Sequence, residues 1–128
     1  MTIAALVLAA LAALLHVYIF VLESVLWTTP RAQGVFGTTD DEARATRQLA
    51  FNQGFYNLFL ALLAFIGIIV VAAGAAAAGI ALVVAGTGSM LGAAVVLFAS
   101  DATKRRAAIT QGTLPALALL ALLIAALV

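Results

Sequence analysis

The chain has 128 residues, of which 66% are hydrophobic and only 9% are charged, and it contains no cysteine. The lack of cysteine excludes disulfide bonds, a thiol nucleophile and a thiolate metal site. A net charge of +1 is too small to indicate a nucleic-acid-binding surface. Several apolar runs are long enough to cross a bilayer core of roughly 30 Å. We therefore predict an integral membrane protein that contacts the lipid bilayer.

The hydropathy pattern predicts an all-α, four-helix transmembrane bundle that forms a single domain over residues 1–128. The first apolar run lacks the positive segment that opens a signal peptide, and it continues past any small-residue cleavage site. It is therefore expected to be a retained membrane helix. The predicted spans cover about residues 3–26, 54–73, 80–99 and 107–128.

The first span contains two ionisable residues, His16 and Glu23. Their seven-residue spacing is about two helical turns, which predicts that both lie on one face of an α-helix. Ionisable groups at membrane depth are costly and usually face the bundle interior or a water-filled cavity. Trp27 is expected to anchor the end of the span at the interface, and Pro30 to end the helix.

The first connection carries turn and capping signals. Gly34 and Gly37 indicate a turn, and Thr39 with Glu42 forms a capping-box pattern that starts a helix. We expect a short amphipathic interfacial helix to begin there and to run along the membrane surface past Arg47. It then either turns or continues into the second span.

Polar side chains open the second span, where Asn52, Gln53, Tyr56 and Asn57 stand within six residues. Asn52, Tyr56 and Asn57 fall within one or two helical turns, so at least two of them can face inward together. Gln111, early in the fourth span, is expected at a similar depth.

Small residues form two stripes on the third span. Gly88 and Gly92 stand four residues apart, and Ala85, Ser89 and Ala93 repeat the same spacing. Small residues at this spacing allow two helix backbones to approach closely. The sequence leaves open whether this surface packs inside the protomer or between protomers. We expect a homo-oligomer, because four thin alanine-rich helices bury little surface alone.

Positive residues predict the orientation. All six Lys and Arg residues fall in the first and third connections: Arg31, Arg44, Arg47, Lys104, Arg105 and Arg106. By the positive-inside rule, these connections face the cytoplasm and both termini lie outside it, in a multi-pass protein of the cell (inner) membrane. The polar residues of the spans then lie in the cytoplasmic half.

Two interpretations of the polar residues remain open. They either stabilise the bundle through hydrogen bonds between helices, or they line a pocket that binds or passes a small polar or amphipathic molecule. No catalytic set, metal site or cofactor is predicted, because one His and one Glu are too few ligands for a closed zinc site. The candidate cluster is His16, Glu23, Asn52, Gln53, Tyr56, Asn57 and Gln111.

Several motifs in the chain resemble those of the small bacterial integral membrane proteins of the domain of unknown function 1304 family. The resemblance implies four membrane helices and no established activity. It rests on Leu15-His16-x-Tyr18-Ile19-Phe20-x-Leu22-Glu23-x-x-x-Trp27-x-x-Pro30-Arg31, on Asn52-Gln53-Gly54-x-Tyr56-Asn57, and on Gln111-Gly112 close to Pro115.

A second, weaker resemblance leads to the rival hypothesis of an enzyme. Arg44-x-x-Arg47, Asn52 and the later Phe59-Leu-Ala-Leu are similar to a region of the membrane-associated eicosanoid and glutathione metabolism proteins. That resemblance implies a trimer that binds glutathione between subunits. A thiol-transfer enzyme also needs a positive group to stabilise the thiolate, for which Arg47 and Arg105 are the candidates. The arginine spacing departs from that family's pattern by about one residue, and its second glutamate is missing.

Overall fold

The computed structural model describes residues 2–127 and contains four long helices that alternate in direction. Each of the four is long and apolar enough to cross a membrane, which confirms the all-α transmembrane bundle. The elements in chain order are α1 (Thr2–Phe20), a π-helical turn (Val21–Val25), α2 (Pro30–Phe36), α3 (Asp40–Ala72), α4 (Ala76–Ser100), a 3₁₀ turn (Ala102–Lys104) and α5 (Arg105–Leu127).

The four long helices form a ring in cross-section. α1 packs against α3 and α5, α4 packs against the same two helices, and α1 and α4 face each other across the diagonal with little contact. Because the helices alternate in direction, the first and third connections meet at one end of the bundle. We call this the charged end, since it carries all six Lys and Arg residues.

Alanine dominates the bundle core. Side chains of this size let neighbouring helices pack closely, but they leave little apolar volume to bury. One core cluster lies near the middle of the bundle, and the other lies towards the end opposite the charged end. Their members are Ala12, Ala13, Ala61, Ala64 and Met90 in the first, and Ala5, Ala9, Val83, Ala118 and Leu122 in the second.

Glycines bring α3 and α4 into backbone contact. A Cβ atom added at Gly67 would lie 2.7 Å from the carbonyl oxygen of Gly79, and one added at Gly79 would lie 2.6 Å from the carbonyl oxygen of Gly67. About two turns further along α4, a Cβ atom added at Gly86 would lie 3.1 Å from the backbone N of Ala64. The hairpin of α3 and α4 therefore requires glycine at these crossings.

The small-residue surface on α4 does not pack inside the protomer. A Cβ atom added at Gly88 or Gly92 would meet nothing within 4 Å, and Ala85, Ser89 and Ala93 are exposed. Of the two alternatives left open by the sequence, packing within the protomer is therefore excluded.

The short helix between the first and second long helices is present, but it lies earlier in the chain than predicted. Pro30 occupies the first turn of α2, where its fixed φ and missing N–H are tolerated, and the Thr29 hydroxyl accepts a hydrogen bond from the Ala32 N–H. Gly37 ends the helix with a φ of 62°. The turn predicted at Gly34 is wrong, because this residue lies within α2.

The segment from Thr39 onward is the beginning of α3 and not a separate interfacial helix. Its capping box is confirmed: the Thr39 hydroxyl accepts from the Glu42 N–H, and the Glu42 carboxylate accepts from the Thr39 N–H at 2.8 Å. The helix then runs unbroken to Ala72, because no proline interrupts it. The sequence left open whether this helix turns or continues into the second span, and in the structure it continues.

Candidate functional site

Glu23 lies in a π-helical turn that continues the first membrane helix. The backbone N–H of Leu26 donates to the carbonyl of Val21 at 3.0 Å, which is the i to i+5 pattern of a π-helix. Single π turns within α-helices are frequent at functional sites. This local widening of the helix is the first structural feature that marks Glu23.

The backbone of α3 packs closely against the π-helical turn. The Ser24 hydroxyl donates to the carbonyl of Phe51 at 2.9 Å. Gly54 is buried, and a Cβ atom there would clash with the Ser24 hydroxyl and approach the Glu23 Cβ to 3.1 Å. Glycine at this position therefore allows α3 to bring its next turn of polar residues to Glu23.

Asn57 is the partner of Glu23. Its side-chain amide donates to the Glu23 carboxylate at 2.8 Å, and Asn57 is only 8% exposed. Within residues 2–127, Glu23 makes no other side-chain hydrogen bond and has no cation within 4.0 Å, since both ion pairs there join Arg44 to the first turn of α3. The carboxylate is thus held by one neutral donor and leaves acceptor capacity unused.

A cavity of about 470 Å³ opens beside this pair, at the charged end of the bundle. Its walls are largely apolar, and its polar members come from four elements and from the connections between them. We call it the Glu23 cavity. Its polar lining residues are Glu23, Gln53, Asn57, Gln111, Thr38, Ser100 and Lys104.

Two aromatic rings form part of the cavity wall. The rings of Trp27 and Phe36 lie with their centroids 5.3 Å apart, and both line the cavity. The Trp27 indole N–H donates to the Thr46 hydroxyl at 3.2 Å, which fixes the orientation of the ring. The aromatic wall is therefore positioned by α3, through the hydrogen bond from Trp27 to Thr46, and by α2, which carries Phe36.

Lys104 hydrogen-bonds to the end of α2 and holds this helix beside the Glu23 cavity. Its ammonium donates to the carbonyl of Phe36 at 2.6 Å and to that of Gly37 at 3.1 Å. These carbonyls belong to the C-terminal end of α2, where unpaired acceptors and the helix dipole favour a positive charge. The Lys104 ammonium therefore hydrogen-bonds to the backbone of the first connection.

Thr38 presents an unpaired polar atom at the same place. Its hydroxyl oxygen is buried and, among the residues that the structure describes, has no hydrogen-bond partner. The residue lines the Glu23 cavity. A buried hydroxyl without a partner is costly.

A second cavity, of about 330 Å³, adjoins the first. The two share Phe36, Ala107 and Gln111 in their walls. Tyr18 lines this second cavity, and its hydroxyl accepts from the Arg31 guanidinium at 3.2 Å. The two cavities lie on either side of Gln111, and residues of α2 line both of them.

The structure brings together four of the seven candidate residues, namely Glu23, Gln53, Asn57 and Gln111. His16 is buried, at 1% exposure, but it does not line the Glu23 cavity. Its Nδ1–H donates to the carbonyl of Ala12 at 2.9 Å within its own helix. A carbonyl only accepts, so Nδ1 is the donor in this bond and is satisfied within α1.

Asn52 and Tyr56 lie on the outer face of α3, away from the Glu23 cavity. Tyr56 is 64% exposed, and both residues flank a row of phenylalanines that ends at Phe59. Neighbouring residues on an α-helix are about 100° apart, so Gln53 and Asn57 share one face while Asn52 and Tyr56 share the next.

Nine of the thirteen residues that line the Glu23 cavity were not among the candidates, and they include Trp27, Phe36, Thr38 and Lys104. Trp27 carried a signal, being an aromatic residue one turn from Glu23, but it was interpreted as an interfacial anchor. The other three reach the site only through the fold of the connections. Among residues 2–127, no group of three or more potential metal ligands is present.

Comparison with known proteins places the chain in a family without assigning it an activity. The family model described as protein of unknown function (DUF1304) matches residues 10–123. No curated protein matches the chain, and no solved structure matches it. The match includes most of each long helix and all residues of the Glu23 cavity. The chain therefore belongs to the DUF1304 family of membrane proteins.

Proposed function

We propose that this protein binds a small polar or amphipathic molecule in the Glu23 cavity. The observation that supports the proposal best is that the Glu23 carboxylate faces an open cavity with Asn57 as its single side-chain partner. A carboxylate at membrane depth is costly unless it is paired, so its retention beside a cavity favours a role in binding.

Features of the cavity separate this proposal from a purely structural role. A structural polar cluster satisfies its groups internally, whereas the Thr38 hydroxyl here has no partner among the described residues. The volume of about 470 Å³ falls within the range of roughly 300–1,000 Å³ that is typical of small-molecule sites. Mostly apolar walls with a few polar groups are also typical of such sites.

Native mass spectrometry tests the proposal directly. Protein purified in mild detergent is expected to release a discrete small-molecule mass, which a cavity-filling Ala107→Phe variant loses, because Ala107 lines both cavities. Ala126→Phe is the matched control, since it places the same ring on an exposed position at the other end of α5. Identical masses from both variants, or a protein without any bound molecule, would leave the cluster with a structural role only.

The rival hypothesis of a glutathione enzyme is tested in the same instrument. Arg44 is already paired with Asp40 and Asp41 at the start of α3, so of the two arginines in the Arg44-x-x-Arg47 motif, Arg47 is the one left to bind glutathione. A trimer that gains glutathione at millimolar concentration and loses it in Arg47→Ala would favour that enzyme class. Absence of such binding removes it.

We propose that the charged end faces the cytoplasm in the cell (inner) membrane. The proposal rests on the six Lys and Arg residues at this end. Fusions of a cytoplasm-dependent reporter to each terminus are expected to be inactive, and a fusion inserted at Gly74, in the opposite α3–α4 link, is expected to be inactive as well. An active terminal fusion would reverse the orientation.

We also propose that the protein forms a homo-oligomer through the small-residue surface of α4. Gly88 and Gly92 have open space outside them, which permits close approach of a second helix. Crosslinking in membranes is expected to show a dimer or trimer that Gly88→Leu weakens. A monomer in the parent protein would refute this proposal.

A further inference from the structure

We infer that the molecule bound in the Glu23 cavity is a lipophilic organic cation, a protonated amine or a quaternary ammonium with an apolar body. This inference rests on the proposed function and assigns the chemical class of its ligand. Three features support it: a carboxylate without a positive partner, aromatic rings without a cation, and apolar walls.

The charge of the site favours a cation. Within residues 2–127, the carboxylate of Glu23 has no positive group within 4.0 Å, and its one hydrogen-bond donor, Asn57, is neutral. A half-buried anion without a counter-charge attracts a positive ligand, because the protein screens the interaction less than water does.

The positive side chains near Glu23 are engaged or distant. Lys104 lines the cavity, but its ammonium binds the carbonyls of Phe36 and Gly37 at the far end of α2. Arg47 lines a small cleft of about 130 Å³ on the other side of Glu23 and lies beyond ion-pair distance. Neither side chain takes the place that a cationic ligand would occupy.

The aromatic wall is suited to the same ligand. Elsewhere in the protein, Arg31 lies over the Tyr18 ring and Arg105 over the Phe98 ring. No cation of the described residues lies over Trp27 or Phe36. Ammonium groups, including quaternary ones, are bound by the faces of aromatic rings, and tryptophan is the most favourable of these.

Apolar residues supply the site for the body of the ligand. The wall that α4 and α5 contribute contains Ala93, Val96, Leu97 and Ala107. A small inorganic cation would leave this surface hydrated, whereas an alkyl or aryl group would bury it. The shape therefore favours an organic cation over a metal ion.

Intrinsic fluorescence provides the readout, because Trp27 is the one tryptophan of the chain and lines the cavity. The probe is phenyltrimethylammonium, added to the full-length protein in detergent micelles. Two probes of matched shape accompany it: tert-butylbenzene, in which a neutral carbon replaces the charged nitrogen, and the anion benzenesulfonate. We expect saturable quenching by the cation at concentrations roughly tenfold or more below those needed for either matched probe.

Substitution of the carboxylate is the second arm. Glu23→Gln keeps the size and an acceptor for Asn57, and it is expected to weaken binding of the cation roughly tenfold or more. Asp41→Asn is the matched control, because it removes the same charge from an exposed position on the first turn of α3. Equal affinity for the three probes, or unchanged affinity in Glu23→Gln, would overturn the inference.

The outcomes distinguish this inference from the proposed function. Saturable binding of tert-butylbenzene or benzenesulfonate at least as tight as that of the cation would leave a binding cavity but refute its cationic ligand. Absence of quenching by all three probes, together with a protein free of bound molecules in mass spectrometry, would refute both. If Glu23→Gln fails to fold, the comparison of the charged and neutral probes on the parent protein still decides the matter.

Discussion

The close crossing of the α3 and α4 backbones predicts that the variants Gly67→Ala and Gly88→Ala differ in their free energy of unfolding. A methyl group at Gly67 would lie 2.7 Å from both the carbonyl oxygen of Gly79 and the backbone N of Val83. Backbone atoms of a packed helix cannot rotate away, so α4 itself must move. At Gly88 the same methyl group meets nothing within 4 Å.

The expected magnitudes follow from two opposing terms. Replacing glycine by alanine inside a helix stabilises it by about 0.5–1 kcal/mol at either position. Overpacking at Gly67 costs about 1–3 kcal/mol, and Gly88 has no such cost. For the monomer in detergent, in which the proposed contact of Gly88 with a second copy is absent, Gly88→Ala is therefore expected to raise the free energy of unfolding slightly, and Gly67→Ala to fall about 1–3 kcal/mol below it.

Unfolding by titration of sodium dodecyl sulfate into a mild detergent, followed by far-ultraviolet circular dichroism, gives both free energies under one condition. The difference between the two variants isolates packing, because the helix-propensity gain is common to both. If Gly67→Ala is as stable as Gly88→Ala, the two helices do not cross at Gly67 as the structure has them.

Three further predictions concern the charged end. Asn57→Ala and Glu23→Leu are expected to show a coupling of about 1 kcal/mol in a double-mutant cycle of unfolding free energies, and zero coupling would contradict their hydrogen bond. Lys104→Met is expected to speed amide hydrogen exchange at the C-terminal end of α2, whereas Lys104→Arg retains protection; equal exchange in both would show that the ammonium does not hold α2. Hydrogen bonds from the hydroxyl and the backbone N–H of Thr103 hold the pKa of Asp101 below its usual 3.8. This contribution to stability is present above about pH 4 and is lost as the pH falls through the lowered pKa. A carboxyl titration by NMR is expected to show the lowered pKa and its rise in Thr103→Val, and an ordinary pKa in both proteins would refute it.

The membrane helices could be predicted because the bilayer imposes a strong local requirement. Spans of about twenty apolar residues satisfy every backbone group internally, so hydropathy alone located them. The capping box at Thr39 was also readable, since all of its hydrogen bonds join residues three apart. The start of the short helix was missed, because Pro30 was interpreted only as the end of the first helix, whereas that helix ends at Val25 and Pro30 occupies the first turn of α2.

The grouping of polar residues could be predicted only in part. Glu23 and Asn57 were both candidates, yet nothing local shows that a residue of the first helix meets one 34 positions later. Asn52 and Tyr56 were grouped with Gln53 and Asn57 because sequence proximity does not reveal which helix face turns inward.

The sequence by itself determined that this is a four-helix membrane protein with a carboxylate at membrane depth, because hydropathy and burial cost act on each segment separately. Tertiary structure decided the surroundings of that carboxylate. The close packing of Gly54 against Glu23 and the hydrogen bonds of Lys104 to the end of α2 depend on contacts between segments distant in the chain. Such contacts arise only when the helices pack, and they leave the carboxylate of Glu23 facing a cavity with a single partner.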